Sequence, residues 1–149
     1  MLTDKIWELP TGDEESGVKI KIVDFGIFGS NAGNTAEKST AGSLKYMAPE
    51  LLSGRTHSTP AIDVWSMGCI LHALVLGTYP FEANDRDELK KQILTKEIKV
   101  ATKANRAFVS NACLVMIEKM LDKEPNTRIS IHALLHDPWL MDYKLSKKL

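Results

Sequence analysis

Cysteine is scarce in this chain. Cys69 and Cys113 are the only two, and they lie far apart among apolar neighbours. Since neither belongs to a Cys-x-x-Cys pair, the sequence disfavours a disulfide framework and a zinc site. We expect two buried thiols in a reducing compartment.

An excess of charge of either sign is also missing. The 19 Lys and Arg residues balance 19 Asp and Glu residues, so the formal net charge is zero. Proteins that bind polyanions in general carry a surplus of positive charge. The composition therefore argues against a nucleic-acid partner, although it leaves room for a local basic patch.

The chain has no apolar run long enough to predict a membrane span. The strongest run, 64–76, is too short and includes Ser66 and His72, which suits a buried core helix better. Asp4 and Glu8 interrupt the N-terminal stretch, which therefore does not resemble a signal peptide. We expect no membrane partner and a cytoplasmic or nuclear location.

The first third of the sequence contains strand and loop signals. Residues 1–9 and 18–23 are strand candidates, and the polar, turn-rich residues 10–17 separate them. This pattern predicts a short N-terminal β-hairpin. Residues 27–47 are rich in Gly, Ser and Asn and predict a long loop that is either functional or mobile.

The rest of the sequence has the apolar spacing of helices. Four helices are predicted: from Thr59-Pro60 to Gly77, over 86–94, from Ser110 to before Pro125, and from Ser130 to before Pro138. The first of them is apolar nearly all round, which predicts a helix at the centre of a domain. The sequence therefore predicts a mainly α fold.

The histidines do not predict a metal site. We find no ligand spacing among them and assign all four to packing or surface positions: His57, His72, His132 and His136.

Two tripeptides frame the long loop. Asp24-Phe25-Gly26 follows the second strand candidate, and Ala48-Pro49-Glu50 precedes the apolar pair Leu51-Leu52. Their order and separation resemble the two ends of the activation segment in the protein kinase family. The resemblance implies that Asp24, Phe25 and Gly26 belong to the ATP-binding site and that Asp24 binds a Mg²⁺ ion that bridges the ATP phosphates. The alternative is a tight turn at Gly26 against which Phe25 packs.

Residues 42–50 resemble the end of that segment in the serine/threonine kinases. The resemblance places Ser43 where it touches the catalytic Asp and helps to position the acceptor, while a simple turn hydroxyl is the alternative. Ser39 and Thr40 lie ten or eleven residues before Glu50, where related kinases are phosphorylated for activation. Ordinary exposed hydroxyls are the alternative for these two residues.

Two further motifs carry structural roles in the family. Arg128 lies in residues 122–130, which resemble a loop whose Arg pairs with the glutamate of Ala-Pro-Glu, here Glu50. A solvated Arg128 is the alternative. Asp63 resembles the residue that holds the catalytic-loop backbone at the start of the family's central helix, and the alternative is a carboxylate favoured by the helix dipole.

Some features of the sequence resemble the calcium/calmodulin-dependent group of protein kinases.

The motifs occur in family order from Asp24 to Trp139. The resemblance implies a partial kinase domain over 1–140, a C-terminal lobe with the β-hairpin at its front, followed by a basic tail over 141–149. The family reaction is the Mg²⁺-dependent transfer of the ATP γ-phosphoryl group to Ser or Thr of protein substrates.

The motifs of the N-terminal lobe and of the catalytic loop are missing from this sequence. The 23 residues before Asp24 include no Gly-rich loop, no strand Lys motif and no His-Arg-Asp…Asn. We therefore expect the isolated chain to be inactive. The alternative function is a non-catalytic, pseudokinase-like interaction module that docks protein substrates or partners.

Overall fold

The computed structural model describes residues 44–54 and 59–141. These residues form five α-helices and no strand, which confirms the mainly α class. The helices are α1 (Pro49–Leu52), α2 (Ala61–Leu76), α3 (Arg86–Thr95), α4 (Asn111–Met120) and α5 (Ile131–Leu135), and a 3-10 turn covers Asn105–Ala107. The predicted hairpin, most of the predicted loop 27–47 and most of the basic tail lie outside the described residues.

The longest helix, α2, ends where the sequence predicts and begins one residue later. Pro60 precedes its first residue, Ala61, instead of occupying the first helical position. At the other end Gly77 has φ 72°, a left-handed conformation that glycine adopts without strain, and its N–H donates to the carbonyl of Ala73 at 3.0 Å. Neither α2 nor any other helix of the described residues is long and apolar enough to cross a membrane.

The three predicted helix starts after α2 are capped by side chains. In each case the cap oxygen accepts a hydrogen bond from the backbone N–H three residues later. The distances are 2.9 Å at Asp85, 3.3 Å at Ser110 and 3.1 Å at Ser130. The predicted starts at Ser110 and Ser130 are therefore confirmed.

Helices α2 and α4 approach each other closely at Gly68. A Cβ atom at this position would lie 2.9 Å from Cβ of Met120 and 3.0 Å from Cδ2 of Leu121. Because a backbone-proximal Cβ cannot swing away, only glycine fits this crossing without a shift of one helix. The side of α4 that meets α2 and the rest of the core is buried at Cys113, Leu114, Met116, Ile117 and Met120.

The core is centred on Trp65 of α2. Its indole stacks on the ring of Phe81, with ring centroids 5.8 Å apart and an interplanar angle of 8°. Ile93 of α3 and Leu114 of α4 are also fully buried. Burial of one such side chain contributes about 1.5–3 kcal/mol, so α2, α3 and α4 are held together mainly by this cluster.

The expectation that α2 is buried on all sides is correct for one face only. Ile70 is 48% exposed and Leu74 is 78% exposed, because the described elements pack against the opposite side of the helix. A groove of about 240 Å³ runs along this apolar face. Its walls include Met67 of α2 and Trp139.

Candidate functional site

The segment that leads into α1 is held against α2 by one hydroxyl group. Oγ of Ser66 lies 2.9 Å from the carbonyl oxygen of Tyr46 and 3.1 Å from that of Ile62 in its own helix. The side chain of Leu44, at the start of the segment, is almost fully buried. The backbone from Leu44 to α1 is therefore anchored to the core rather than left free in solution.

A tyrosine pair provides a second link between this segment and the turn after α2. The hydroxyl oxygens of Tyr46 and Tyr79 are 3.1 Å apart, and their rings meet edge to face at 5.8 Å. The hydrogen bond to Tyr79, together with partial burial, raises the pKa of Tyr46. Nζ of Lys45 lies 4.2 Å above the Tyr79 ring, a cation–π contact that fixes the same loop.

The buried ion pair of Glu50 and Arg128 joins α1 to the turn before α5. Nη1 of Arg128 lies 2.7 Å from Oε1 of Glu50, and Nη2 lies 2.9 Å from Oε2. Both residues are 4% exposed. Two parallel, charge-assisted hydrogen bonds of this kind fix the relative orientation of the groups as well as their distance.

The remaining donors of Arg128 also have partners. Nη1 donates to the carbonyl of Ala61 at 2.8 Å, Nε donates to the carbonyl of Asp122 at 2.8 Å, and Nη2 approaches the carbonyl of Lys123 at 3.4 Å. The guanidinium carbon lies 5.1 Å from the centroid of the Trp65 ring. All five N–H groups of the guanidinium are therefore used, which is the condition under which a buried arginine is tolerated.

The turn that presents Arg128 is shaped by Asp122. Its Oδ1 accepts a hydrogen bond from the N–H of Glu124 at 3.0 Å, and its Oδ2 accepts one from the hydroxyl of Thr127 at 2.8 Å. The N–H of Arg128 then donates to the carbonyl of Glu124 at 2.9 Å. Asp122 thus folds the local backbone so that the arginine side chain points towards Glu50.

Lys123 makes structural contacts that the sequence does not predict. Its ammonium group donates to the carbonyl of Ile93 and, at 3.3 Å, to that of Gln92, at the C-terminal end of α3. Nζ also lies 4.4 Å from the ring centroid of Phe81. Burial lowers the pKa of Lys123 to about 8. No local pattern could predict this contact, because the partners are about thirty residues away in sequence.

The two cysteines are free thiols in the core, as the sequence predicts. Burial raises the pKa of Cys69 to about 12 and also raises that of Cys113. Both therefore remain protonated near neutral pH and are poor nucleophiles.

His72 is also buried. Its Nδ1 lies 2.7 Å from the carbonyl oxygen of Thr78, and burial lowers the pKa of its imidazole.

The structure brings together only some of the residues that the sequence singles out. Glu50 and Arg128 are in direct contact. Asp63 is exposed in the first turn of α2, at the end of the helix where the dipole favours a carboxylate. The other candidates lie outside the described residues: Asp24, Phe25, Gly26, Ser39, Thr40 and Ser43. The described residues contain no group of three or more His, Cys, Asp or Glu side chains that could hold a metal ion.

The helical fold and the buried carboxylate–arginine link define the C-terminal lobe of a protein kinase-like domain. Residues 11–140 match the family described as Protein kinase domain. The chain therefore belongs to the protein kinase family. The solved twitchin kinase region from Caenorhabditis elegans is similar in structure, with a TM-score of 0.61 and 30% sequence identity, and the match covers 68% of this chain and 18% of that one.

Similar curated proteins are serine/threonine kinases. The SNF-related serine/threonine-protein kinase of Homo sapiens is 38% identical over 130 residues, and kin-29 of Caenorhabditis elegans is 36% identical over 121 residues. The SIK3 homolog of Danio rerio is 31% identical over 126 residues. These matches cover 85%, 81% and 85% of this chain, in that order, but only 16%, 14% and 10% of the relatives. The chain thus spans about one sixth or less of the length of these proteins.

Proposed function

We propose that the chain is the C-terminal lobe of a serine/threonine protein kinase, which transfers the γ-phosphoryl group of ATP to Ser or Thr of protein substrates. The partial kinase domain comprises residues 1–140, and 141–149 form a basic tail. The observation that carries the proposal is the buried, bidentate Glu50–Arg128 pair. It fixes the end of the segment that, by resemblance, binds the protein substrate.

The anchoring of Leu44 supports a role for its neighbour Ser43 in catalysis. Leu44 is 1% exposed, and the next residues are tied to α2 and to Tyr79. In this proposal Ser43 helps to position the acceptor hydroxyl, and Glu50 with Arg128 braces the segment behind it.

In the proposed enzyme, Asp24, Phe25 and Gly26 belong to the ATP-binding site, and Asp24 holds Mg²⁺. A Mg²⁺ ion held by Asp24 would neutralise charge on the ATP phosphates. A carboxylate is a suitable ligand, since Mg²⁺ prefers oxygen donors. The support for these roles is the position of the triplet at the start of the segment that Glu50 ends.

Asp63, Ser39 and Thr40 have supporting roles in the proposal. Asp63 positions the backbone of the catalytic loop, and its exposed place in the first turn of α2 leaves it accessible to such a partner. Phosphorylation of Ser39 or Thr40 would add a charge of about −2 and order the segment through arginine contacts.

The isolated chain should be inactive, because it lacks the motifs for the catalytic base, for the second metal ligand and for the lobe that covers ATP. Purified chain with Mg-ATP and a Ser-containing peptide should give no phosphotransfer above background. Turnover by the isolated chain would contradict this part of the proposal.

A chimera tests the kinase proposal itself. The N-terminal lobe and catalytic loop of the human SNF-related kinase would be joined to residues 11–140 of this chain, in place of the matching part of the relative. We expect activity, and we expect Asp24→Asn to abolish it. A folded chimera without activity would count against the proposal. An in-frame His-Arg-Asp…Asn in the genomic sequence directly upstream of Met1 would support it.

The second candidate is a non-catalytic module that docks protein substrates or partners. It is favoured by the closed core of the described residues, in which Trp65, Ile93 and Leu114 are fully buried without the N-terminal lobe. Capture of basic or Ser-containing peptides without nucleotide would support this function. An insoluble or molten chain would argue against it, because large exposed apolar surfaces promote aggregation.

A further inference from the structure

His132 and His136 lie together on the surface of α5 and at its C-terminal end. Their ring centroids are 4.5 Å apart and their planes are tilted by 32°. Both residues are exposed. The sequence predicts no metal-ligand spacing among the histidines, but these two rings lie side by side because residues four apart face the same side of a helix.

A backbone carbonyl orients one of the two imidazoles. Nδ1 of His136 lies 2.8 Å from the carbonyl oxygen of His132. Since a carbonyl can only accept, Nδ1 carries the hydrogen, and the lone pair of the neutral ring is at Nε2. Metal-binding histidines usually donate their other ring N–H to a carbonyl or carboxylate in this way, which fixes the tautomer and orients the ligand nitrogen.

The neighbouring carboxylate is already engaged. Oδ1 of Asp137 accepts from the N–H of Trp139 at 3.0 Å, and its Oδ2 lies 3.5 Å from Nζ of Lys119. Within the described residues, no third His, Cys, Asp or Glu completes a metal-binding group. A cation at this place would have two nitrogen ligands from the protein, with water at its other positions.

We propose that His132 and His136 form a two-imidazole site for a transition-metal cation of the Zn²⁺ or Ni²⁺ type. Imidazole nitrogen suits these ions, whereas Mg²⁺ and Ca²⁺ require oxygen ligands. Pairs of histidines four residues apart on a helix bind Zn²⁺ in metalloproteases, so the spacing allows one ion to contact both rings. The site lies on the surface at the end of α5 and uses none of the residues assigned to the kinase reaction.

The test is a calorimetric titration of the full 149-residue chain, freed of any histidine tag, with Ni²⁺, Zn²⁺ and Mg²⁺. We expect one equivalent of Ni²⁺ or Zn²⁺ to bind and Mg²⁺ not to bind at the same concentrations. His132→Gln and His136→Gln should each weaken binding about 100-fold, because a chelate becomes a single contact. His132→Gln removes one imidazole without disturbing the orientation of the other, since the carbonyl that orients His136 belongs to the backbone and is retained. His57→Gln is the control and should bind as the unmodified chain does.

A variant with the same number of histidines separates geometry from composition. Ala133→His with His136→Gln places two imidazoles at adjacent positions, which face different sides of the helix. This variant should also lose about 100-fold in affinity. Ring resonances of His132 and His136 should shift on addition of Zn²⁺, and the melting temperature should rise with metal concentration only in the unmodified chain and in His57→Gln.

Two results would overturn the proposal. One is the absence of saturable Ni²⁺ and Zn²⁺ binding in the folded chain. The other is binding of unchanged strength in His132→Gln and in the variant with adjacent histidines, which would locate the metal elsewhere. Circular dichroism of each variant shows whether the helices are intact, so a loss of binding through unfolding is recognised directly.

Discussion

Substitution of Arg128 by Met is expected to bring the chain close to unfolding. The change leaves Glu50 as a buried carboxylate without its partner, which costs about 3–5 kcal/mol. It also removes the two short hydrogen bonds to the carbonyls of Ala61 and Asp122, at about 1 kcal/mol each. The total of about 5–7 kcal/mol is a large part of the 5–15 kcal/mol by which a domain is usually stable.

Urea unfolding, followed by tryptophan fluorescence and by circular dichroism, measures this loss. Trp65 is a suitable probe because the guanidinium carbon of Arg128 lies 5.1 Å from its ring. Arg128→Lys is the matched variant: it retains the charge but has three donors on a point-like group instead of a planar fork. Its stability should fall between that of the unmodified chain and that of Arg128→Met.

A double-mutant cycle tests the ion pair directly. Glu50→Gln alone leaves the buried guanidinium charge without a carboxylate and should cost about 3–5 kcal/mol. Glu50→Gln combined with Arg128→Met removes both charges, so its cost should be clearly less than the sum of the single costs. The reasoning would be refuted if Arg128→Met cost less than about 1 kcal/mol, or if the two costs were additive within about 0.5 kcal/mol.

Four further changes test other parts of the fold. Gly68→Ala should cost about 1–3 kcal/mol in urea unfolding, because the new methyl group would contact Cβ of Met120 at 2.9 Å. Ser110→Ala should cost about 1 kcal/mol by the same method through loss of the cap of α4, and Ser110→Thr should retain most of the stability. Gly77→Ala should cost about 1–2 kcal/mol, whereas Gly77→Asn should cost less, because asparagine tolerates the left-handed conformation better. Since burial lowers the pKa of Lys123 to about 8, this residue is protonated in the unfolded chain and loses its proton in the folded chain between pH 8 and about 10.4; its contribution to stability rises with pH across this window, while the raised pKa values of Cys69 and Cys113 act in the opposite direction. The urea midpoint of the unmodified chain, relative to that of Lys123→Met, should therefore rise from pH 7 to pH 10; a constant difference between the two proteins would contradict this role of Lys123.

Much of the helical architecture could be predicted from local sequence. Ser110 and Ser130 mark helix starts because a side-chain oxygen can satisfy a free backbone N–H within three residues, and the structure contains both caps. Gly77 marks the end of α2 because a left-handed residue closes the last turn. These signals depend on contacts between near neighbours, which is why the sequence alone reveals them.

The burial of α2 could not be predicted in the same way. Its composition is apolar nearly all round, yet Leu74 is 78% exposed. Periodicity shows which residues could be buried, but the positions of α3 and α4 decide which face is covered. The need for glycine at position 68 is likewise set by the crossing of α2 and α4.

In the candidate site, too, some contacts could be predicted from sequence motifs and others depend on how the helices pack. The family resemblance predicts that Arg128 meets Glu50, 78 positions away, and the structure contains that contact with two hydrogen bonds. The contacts of Lys123 with the end of α3 and of Ser66 with Tyr46 have no sequence signature. They depend on how separate helices meet, and not on the order of residues within any of them.

The sequence by itself determined the family, the helical class and the caps, because each depends on residues close together or on motifs in a fixed order. The tertiary structure decided which apolar face stays exposed, how all the donors of Arg128 are satisfied and why Lys123 has a lowered pKa. It also placed the rings of His132 and His136 side by side at the end of α5. These features arise from distances between side chains in space, and such distances are fixed only when the helices pack.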